Sequence, residues 1–196
     1  KRATELDSQN PSNWSALGLV QLMLNQQDEA LESLTKSIDQ GSKWAGDYMN
    51  RGVIYYQRHN YRGALSDLDK AVSLSPKDVQ CYYNRGILRS EVGDYNRAIE
   101  DFSQAIDLAP DKMEIYYNRG LVQLQLRQWN AALSDFQTII LTHPYFIPAY
   151  YLAAQAETSL GHDKKAYTLR QKAYELEQEK NNNQSLKKDM QKEKAK

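Results

Sequence analysis

The chain has 196 residues, and its 25 Lys and Arg are matched by 25 Asp and Glu, so the formal net charge is zero. A neutral chain lacks the basic footprint that a phosphate backbone attracts, which argues against a nucleic-acid partner. No run of about 18 apolar residues is present to span a membrane, and the lone Cys81 cannot staple a fold; as a small apolar side chain it is expected to be buried. No secretory hydrophobic stretch appears, and the compartment stays open between cytoplasm and periplasm.

In chain order, residues 1–10 (KRATELDSQN) resemble the end of a preceding unit, because Ala3 stands in register with Ala71 and Ala105. From there a 34-residue period governs the sequence. Tyr-Met-Asn-Arg-Gly begins at Tyr48, and Tyr-Tyr-Asn-Arg-Gly begins at Tyr82 and again at Tyr116, each 34 residues after the last. Trp14 and Tyr150 continue the series outward. Pro76, Pro110 and Pro144 keep the interval, as do Ala30, Ala64, Ala98, Ala132 and Ala166. The chain thus holds five repeats, at 11–44, 45–78, 79–112, 113–146 and 147–180, with no insertion between them.

Each repeat predicts two short amphipathic helices. In the third, Tyr82, Gly86 and Arg89 recur at helical spacing, and Gly93-Asp94 supplies a turn. Ala98, Ile99, Phe102, Ala105 and Ile106 then share one face of a second helix, which must stop ahead of Pro110. The absence of bulk at Gly86 and Ala98 lets two antiparallel helices approach closely, while Tyr82 and Phe102 fill the space between layers. Turns are expected near Asn25-Gln26, His59-Asn60, Gly93-Asp94, Arg127-Gln128 and Gly161-His162. Adjacent helical residues point about 100° apart. Trp14, Tyr48, Tyr82, Tyr116 and Tyr150 are therefore expected to be largely buried, with Tyr83, Tyr117 and Tyr151 more exposed. After residue 180 the composition turns polar and basic; 181–196 is expected to be either an extra solvating helix, for which 185–195 could serve with Leu186 and Met190, or a frayed tail.

The opening Trp14-x-x-Leu17-Gly18 and the endings Ala98-x-x-x-Phe102 with Pro110 and Ala132-x-x-x-Phe136 with Pro144 resemble the tetratricopeptide repeat. The resemblance covers residues 11–180. It implies an all-α fold, a right-handed superhelical array of antiparallel helix pairs with the first helix of each pair lining a concave groove. Departures sit in the terminal repeats: Ser42 replaces Pro in the first, and Ala154, Arg170 and Gln178 replace Gly, Phe and Pro in the fifth. Terminal repeats are expected to be atypical because one face meets water.

The resemblance implies a protein–protein interaction module that binds an extended, largely uncharged peptide segment in that groove. Residues placed to line it are Met49, Asn50 and Val53 in the second repeat and Tyr83, Asn84 and Ile87 in the third. Tyr117, Asn118 and Leu121 take these places in the fourth, and Tyr151 in the fifth. Asn50, Asn84 and Asn118 recur at one mid-helix position despite the modest helix propensity of asparagine. A carboxamide can both donate to and accept from a peptide unit, although each could equally bond a neighbouring helix or water. The alternative is a structural module that self-associates through its end repeats or its convex face.

Arg51, Arg85 and Arg119 are each followed sixteen residues later by Asp67, Asp101 and Asp135. The first and fifth repeats lack both partners, with Leu17 and Ser33 or Ala153 and Leu169 instead, so the two residue types come and go together. That pattern predicts ion pairs within a repeat. The Lys and Asn set by which one subclass of the family clamps a C-terminal carboxylate is not matched. His59, His143 and His162 fall in turns away from carboxylates at metal spacing, and no phosphate loop or nucleophile motif is present. The sequence thus predicts no enzyme, no catalytic or metal-ligating residue and no cofactor, but a protein or peptide partner.

Overall fold

A computed structural model of the chain describes residues 7–194, with side chains described through residue 182. Ten helices and no strand occur among the described residues: α1 Pro11–Met23, α2 Gln27–Asp39, α3 Ala45–Gln57, α4 Tyr61–Leu74, α5 Val79–Glu91, α6 Tyr95–Leu108, α7 Met113–Gln125, α8 Trp129–Thr142, α9 Ile147–Ser159 and α10 Asp163–Lys194. Ala3 lies outside the described residues, as do the side chains of Leu186 and Met190. Two compact bodies divide between Pro110 and Asp111. In the first, α1–α2, α3–α4 and α5–α6 form antiparallel pairs, α2 packs on α3, α4 on α5, and α3 touches α5. In the second, α7 pairs with α8 and α9 with α10, and α8 packs on α9.

All five turns inside the repeats have the same construction. Asn25, His59, Gly93, Arg127 and Gly161 each adopt a left-handed φ, between 56° and 82°. The following N–H then reaches back to the carbonyl five residues earlier, as in Asp94 N to Arg89 O at 2.8 Å and Gln128 N to Gln123 O at 2.8 Å. A second bond, Gly93 N to Ser90 O or Arg127 N to Leu124 O, completes a Schellman cap that satisfies carbonyls the helix leaves open. Second helices end one residue before Ser75, Ala109 and His143, and these three, each ahead of a proline, have φ between −147° and −133°. Where Ser42 stands instead of proline, Gly41 at φ 85° terminates α2 by the same cap. Gln178 offers no such stop, and α10 runs unbroken to Lys194 rather than giving way to a separate helix or a tail.

Within a repeat the two helices meet at a glycine. A Cβ built on Gly86 would lie 2.8 Å from the Phe102 ring, and one on Gly120 would lie 2.8 Å from Phe136. Gly18 faces Leu34 at 2.9 Å and Gly52 faces Leu68 at 3.2 Å in the same way. Phe102, Phe136 and the alanines Ala98 and Ala132 are fully buried around these crossings. The fifth repeat explains two of its departures at once. Ala154 replaces the glycine, and the facing ring is replaced by Arg170, whose exposed guanidinium donates to Thr158 Oγ1 at 2.8 Å.

Gly86→Ala should cost about 1–3 kcal/mol, because neither the added methyl nor the buried Phe102 ring has room to move; urea melts would show the lowered midpoint. Arg127→Gly should act oppositely. It relieves a left-handed φ of 56° and should stabilise the chain by about 0.5–1 kcal/mol, read as a higher Tm.

Candidate functional site

The residues expected to line a binding face are distributed over α3, α5, α7 and α9. In the first body, Asn50 on α3 and Asn84 on α5 are half-buried, and their side-chain amides have no hydrogen-bond partner among the described residues. Val53 and Ile87 are half-buried on the same two touching helices. Met49 is half-buried as well and packs against the clusters of Ala45, Ala71 and Cys81 and of Ala64, Leu68 and Leu88. In the second body Asn118 differs from its two counterparts. Its Nδ2 donates to Glu114 O at 2.8 Å, so it bonds the backbone of its own helix. Leu121 is half-buried, and Tyr151 is exposed.

The tyrosine pairs depart from the expected in-and-out alternation. Tyr150 is buried and Tyr151 exposed, as expected, but Trp14, Tyr48, Tyr82 and Tyr116 are half-buried, like Tyr83 and Tyr117. Two kinds of contact separate first from second aromatics. The first aromatic of a repeat must deliver its polar tip to a carbonyl six residues earlier: Trp14 Nε1 to Ser8 O at 2.8 Å, Tyr48 to Ser42 O at 3.3 Å, Tyr82 to Pro76 O at 3.3 Å and Tyr150 to Pro144 O at 2.9 Å. Trp14, Tyr48 and Tyr82 make this bond with the ring half-buried, whereas Tyr150 makes it buried beneath Ala173 and Leu176 of α10. The second aromatic leans inward on the phenylalanine of its repeat. Tyr83 lies 6.1 Å from Phe102, and Tyr117 lies 6.5 Å from Phe136 and 5.6 Å from Phe146, ring centre to ring centre.

The three arginine–aspartate pairs form as the spacing predicts. Arg51 Nε and Nη2 donate to the two oxygens of Asp67 at 2.8 and 2.9 Å. Arg119 does the same to Asp135 at 2.9 and 2.7 Å. Arg85 grips Asp101, with its shortest bond at 2.6 Å, and also reaches Asp69 of the preceding repeat at 2.9 Å. All three partner carboxylates are buried. The guanidinium groups of Arg85 and Arg119 also stand 5.7 and 5.8 Å from the rings of Tyr82 and Tyr116. These arginines are therefore committed to the repeat interior and do not offer a row of free cations.

Two polar features lie outside the sequence expectations. Arg89 joins the third-repeat pair, donating to Asp101 at 2.9 Å and to Asp69 at 3.5 Å. Burial raises the Asp101 pKa above its ordinary value, against the opposing pull of Arg85 and Arg89. Asp47, fully buried, accepts from Ser15 at 2.5 Å and from Ser37 at 2.7 Å across the first repeat junction. Its signal in the sequence is local: the counterparts Cys81, Ile115 and Ala149 are apolar, so an Asp there requires polar neighbours. Cys81 itself is buried, and desolvation, with the charge of Asp78 adding to it, pushes the thiol up to about 12. It stays protonated and inert at neutral pH. Among the described residues no His, Cys, Asp or Glu cluster suits a metal ion, and no helix is long and apolar enough to cross a membrane.

A TPR-repeat family model matches residues 88–126, and two tetratricopeptide-repeat models match 68–100 and 45–78. Among solved structures, a crystal structure of MamA protein aligns with a TM-score of 0.81 and 23% identity, covering 88% of this chain and 94% of that one. YrrB, described as a TPR protein with an unusual peptide-binding site, aligns at 0.83 with 19% identity, covering 89% of this chain and 90% of its own. MamA 41-end from Desulfovibrio magneticus RS-1 aligns at 0.77 with 19% identity, over 86% and 96%. At these identities the likeness is one of fold. No curated protein matches the sequence.

Removing one member of a buried pair strands the other, so Arg51→Leu should cost about 3–5 kcal/mol. Adding Asp67→Ser reproduces the Leu17 and Ser33 of the first repeat and should recover most of that loss. A thermodynamic cycle from urea melts measures both steps.

Proposed function

The chain belongs to the tetratricopeptide-repeat family, and on that premise we propose that it is a protein-binding module whose first helices hold an extended, largely uncharged peptide segment. The observation that carries this reading is the pair of amides Asn50 and Asn84. They occupy one position on two touching helices and have no hydrogen-bond partner among the described residues. A mid-helix carboxamide that does nothing for its own fold is well suited to grip a peptide unit from both its donor and its acceptor. Around it, Met49, Val53 and Ile87 offer apolar surface, and Tyr83 adds an aromatic wall stiffened by its contact with Phe102. In the second body Tyr117, Leu121 and Tyr151 supply the same chemistry, with Asn118 having first to release Glu114 O. The peptide-binding site described for YrrB, a structural neighbour, lends further support.

The arginines in the neighbouring positions are held by Asp67, Asp101 and Asp135, which disfavours an anionic ligand. Binding to this face requires no reacting group, and the reading is one of recognition, not turnover. A module that recognises uncharged peptide through amide grips should lose little affinity as salt is raised.

The test begins with selection from a display library of extended, net-uncharged peptides, followed by titration of the best binder. At a net value of about 0.5–1.5 kcal/mol per hydrogen bond, Asn50→Ala with Asn84→Ala should weaken binding roughly five-fold to 150-fold. Helicity and melting should remain unchanged. Unaltered affinity in the double variant would remove the asparagines from the mechanism.

A further inference from the structure

The N-cap position of α3 departs from those of the first helices on either side of it. On α1 Asn10 Oδ1 accepts from Ser12 N at 3.0 Å, and on α5 Asp78 Oδ1 accepts from Gln80 N at 2.9 Å. Trp44 holds the same position on α3 and supplies no such bond. Two residues on stands Gly46, where the third, fourth and fifth repeats carry Gln80, Glu114 and Pro148. Each choice alone weakens the first turn of a helix, the tryptophan by giving up a capping acceptor and the glycine by its backbone entropy. Together they have a steric logic. A Cβ built on Gly46 would lie 2.6 Å from the Trp44 ring, so the indole lies over the glycine, in the space a side chain at 46 would take.

That space belongs to the asparagine face. Residues 46, 50 and 53 follow one another at helical steps of four and three, so the ring stands one turn before Asn50, on the side of α3 that carries Asn50 and Val53. Trp44 is 47% exposed. Its Nε1 has no hydrogen-bond partner among the described residues, whereas Trp14 commits the same donor to Ser8 O at 2.8 Å. We propose that Trp44, seated on Gly46, is a specificity-determining residue of the peptide site, stacking a proline of the bound segment and donating from Nε1 to a neighbouring peptide carbonyl. The inference rests on the peptide-binding reading above and names one residue the segment must contain.

The chemistry of this subsite favours proline over other uncharged residues. An indole N–H donates and cannot accept, so the peptide unit beside it can offer a carbonyl but finds no acceptor on the ring for an N–H. Proline brings a peptide nitrogen that carries no hydrogen, and so leaves no donor stranded. Its compact ring covers an indole face with no side-chain rotamer entropy to lose. Its fixed φ also keeps the chain extended, as the amide grips of Asn50 and Asn84 require. The charged groups that flank the ring in sequence do not oppose this occupant. Lys43 is exposed and, like the indole, offers donors only, while Asp47 is buried and accepts from Ser15 and Ser37. Across the junction, the place on α5 that matches Gly46 is held by the exposed, uncharged Gln80.

The test pans a display library of net-uncharged peptides in parallel on the wild-type chain, Trp44→Ala and Gly46→Ala. The wild type should enrich proline at one position, and neither variant should. Gly46→Ala keeps the tryptophan but denies it its seat. The exposed ring can swing aside, and alanine suits a helix better than glycine, so melting should not fall. Titrated with the best wild-type binder, both variants should lose roughly ten-fold in affinity or more, and Trp44→Phe, which keeps a ring without the N–H, should lose less. Replacing the enriched proline by alanine in the peptide should weaken binding to the wild type and leave binding to Trp44→Ala unchanged. A tryptophan with a purely structural role would not produce that coupling. Selection without proline, an equal loss in wild type and Trp44→Ala on replacing it, or variants that bind as tightly as the wild type while Asn50→Ala with Asn84→Ala does not, would overturn this inference and leave the asparagine face standing. A wild-type chain that selects no peptide would overturn both.

Discussion

The helix pair of each repeat can close only if one helix gives up its side chain at the crossing point, and most of the interior derives from that steric condition. Gly18, Gly52, Gly86 and Gly120 leave room for Leu34, Leu68, Phe102 and Phe136, and the rings or branched chains then fill the gap to native density. Close approach also sets the distances for everything beside it. The residue before each glycine lies opposite the residue before each bulky partner, which is why Arg51, Arg85 and Arg119 reach Asp67, Asp101 and Asp135 with short bidentate bonds. The fifth repeat relaxes the condition on both sides together, with Ala154 against Arg170, and Ala153 and Leu169 stand where the ion pair would be.

The carboxylates at these crossings take polar partners that mark junctions, although Asp69 is exposed and Oδ1 of the buried Asp47 has no hydrogen bond among the described residues. Asp67 and Asp135 are matched within their own repeats, whereas Asp69 and Asp47 tie one repeat to its neighbour, the first through Arg85 and Arg89 and the second through Ser15 and Ser37. Such pairs cost desolvation and add little net stability. What they do impose is a penalty on any arrangement that separates the partners. A helix that slipped by one turn would strand a carboxylate in an apolar layer, so the polar interior selects the register that the apolar interior alone would leave loosely defined.

The fold is legible because the sequence states it five times. Period, turn positions and paired departures in the terminal repeats all emerge from equivalent residues, and each repeat constrains the reading of the others. Features that belong to single repeats are hidden by comparison. Asp47 occupies a position that is apolar in three of the other repeats, and its meaning depends on serines ten and thirty-two residues away. The burial of the tyrosine pairs departs from expectation because helical phase is not its only determinant. A phenol has two ends, and Tyr48 and Tyr82 bond a carbonyl with the ring half-buried, while Tyr150 makes the same bond with its ring covered by Ala173 and Leu176 of α10. Among the candidate binding residues, equivalence of sequence does not guarantee equivalence of state: Asn50 and Asn84 are without partners among the described residues, while Asn118 bonds Glu114.

The bonds from Trp14, Tyr48, Tyr82 and Tyr150 to the carbonyls of Ser8, Ser42, Pro76 and Pro144 bear on where this chain can be cut. Each one fastens the linker ahead of a repeat to the first helix of that repeat, so the linker belongs structurally to the helix pair downstream of it. A fragment that starts at a helix boundary, at residue 45 or 79, would leave the opening tyrosine with a dangling donor and an unpinned ring. Moving the scissor point upstream, to include Ser42 or Pro76, keeps the clasp whole. The natural module for excision, permutation or grafting is thus out of phase with the helical hairpin that the eye picks out.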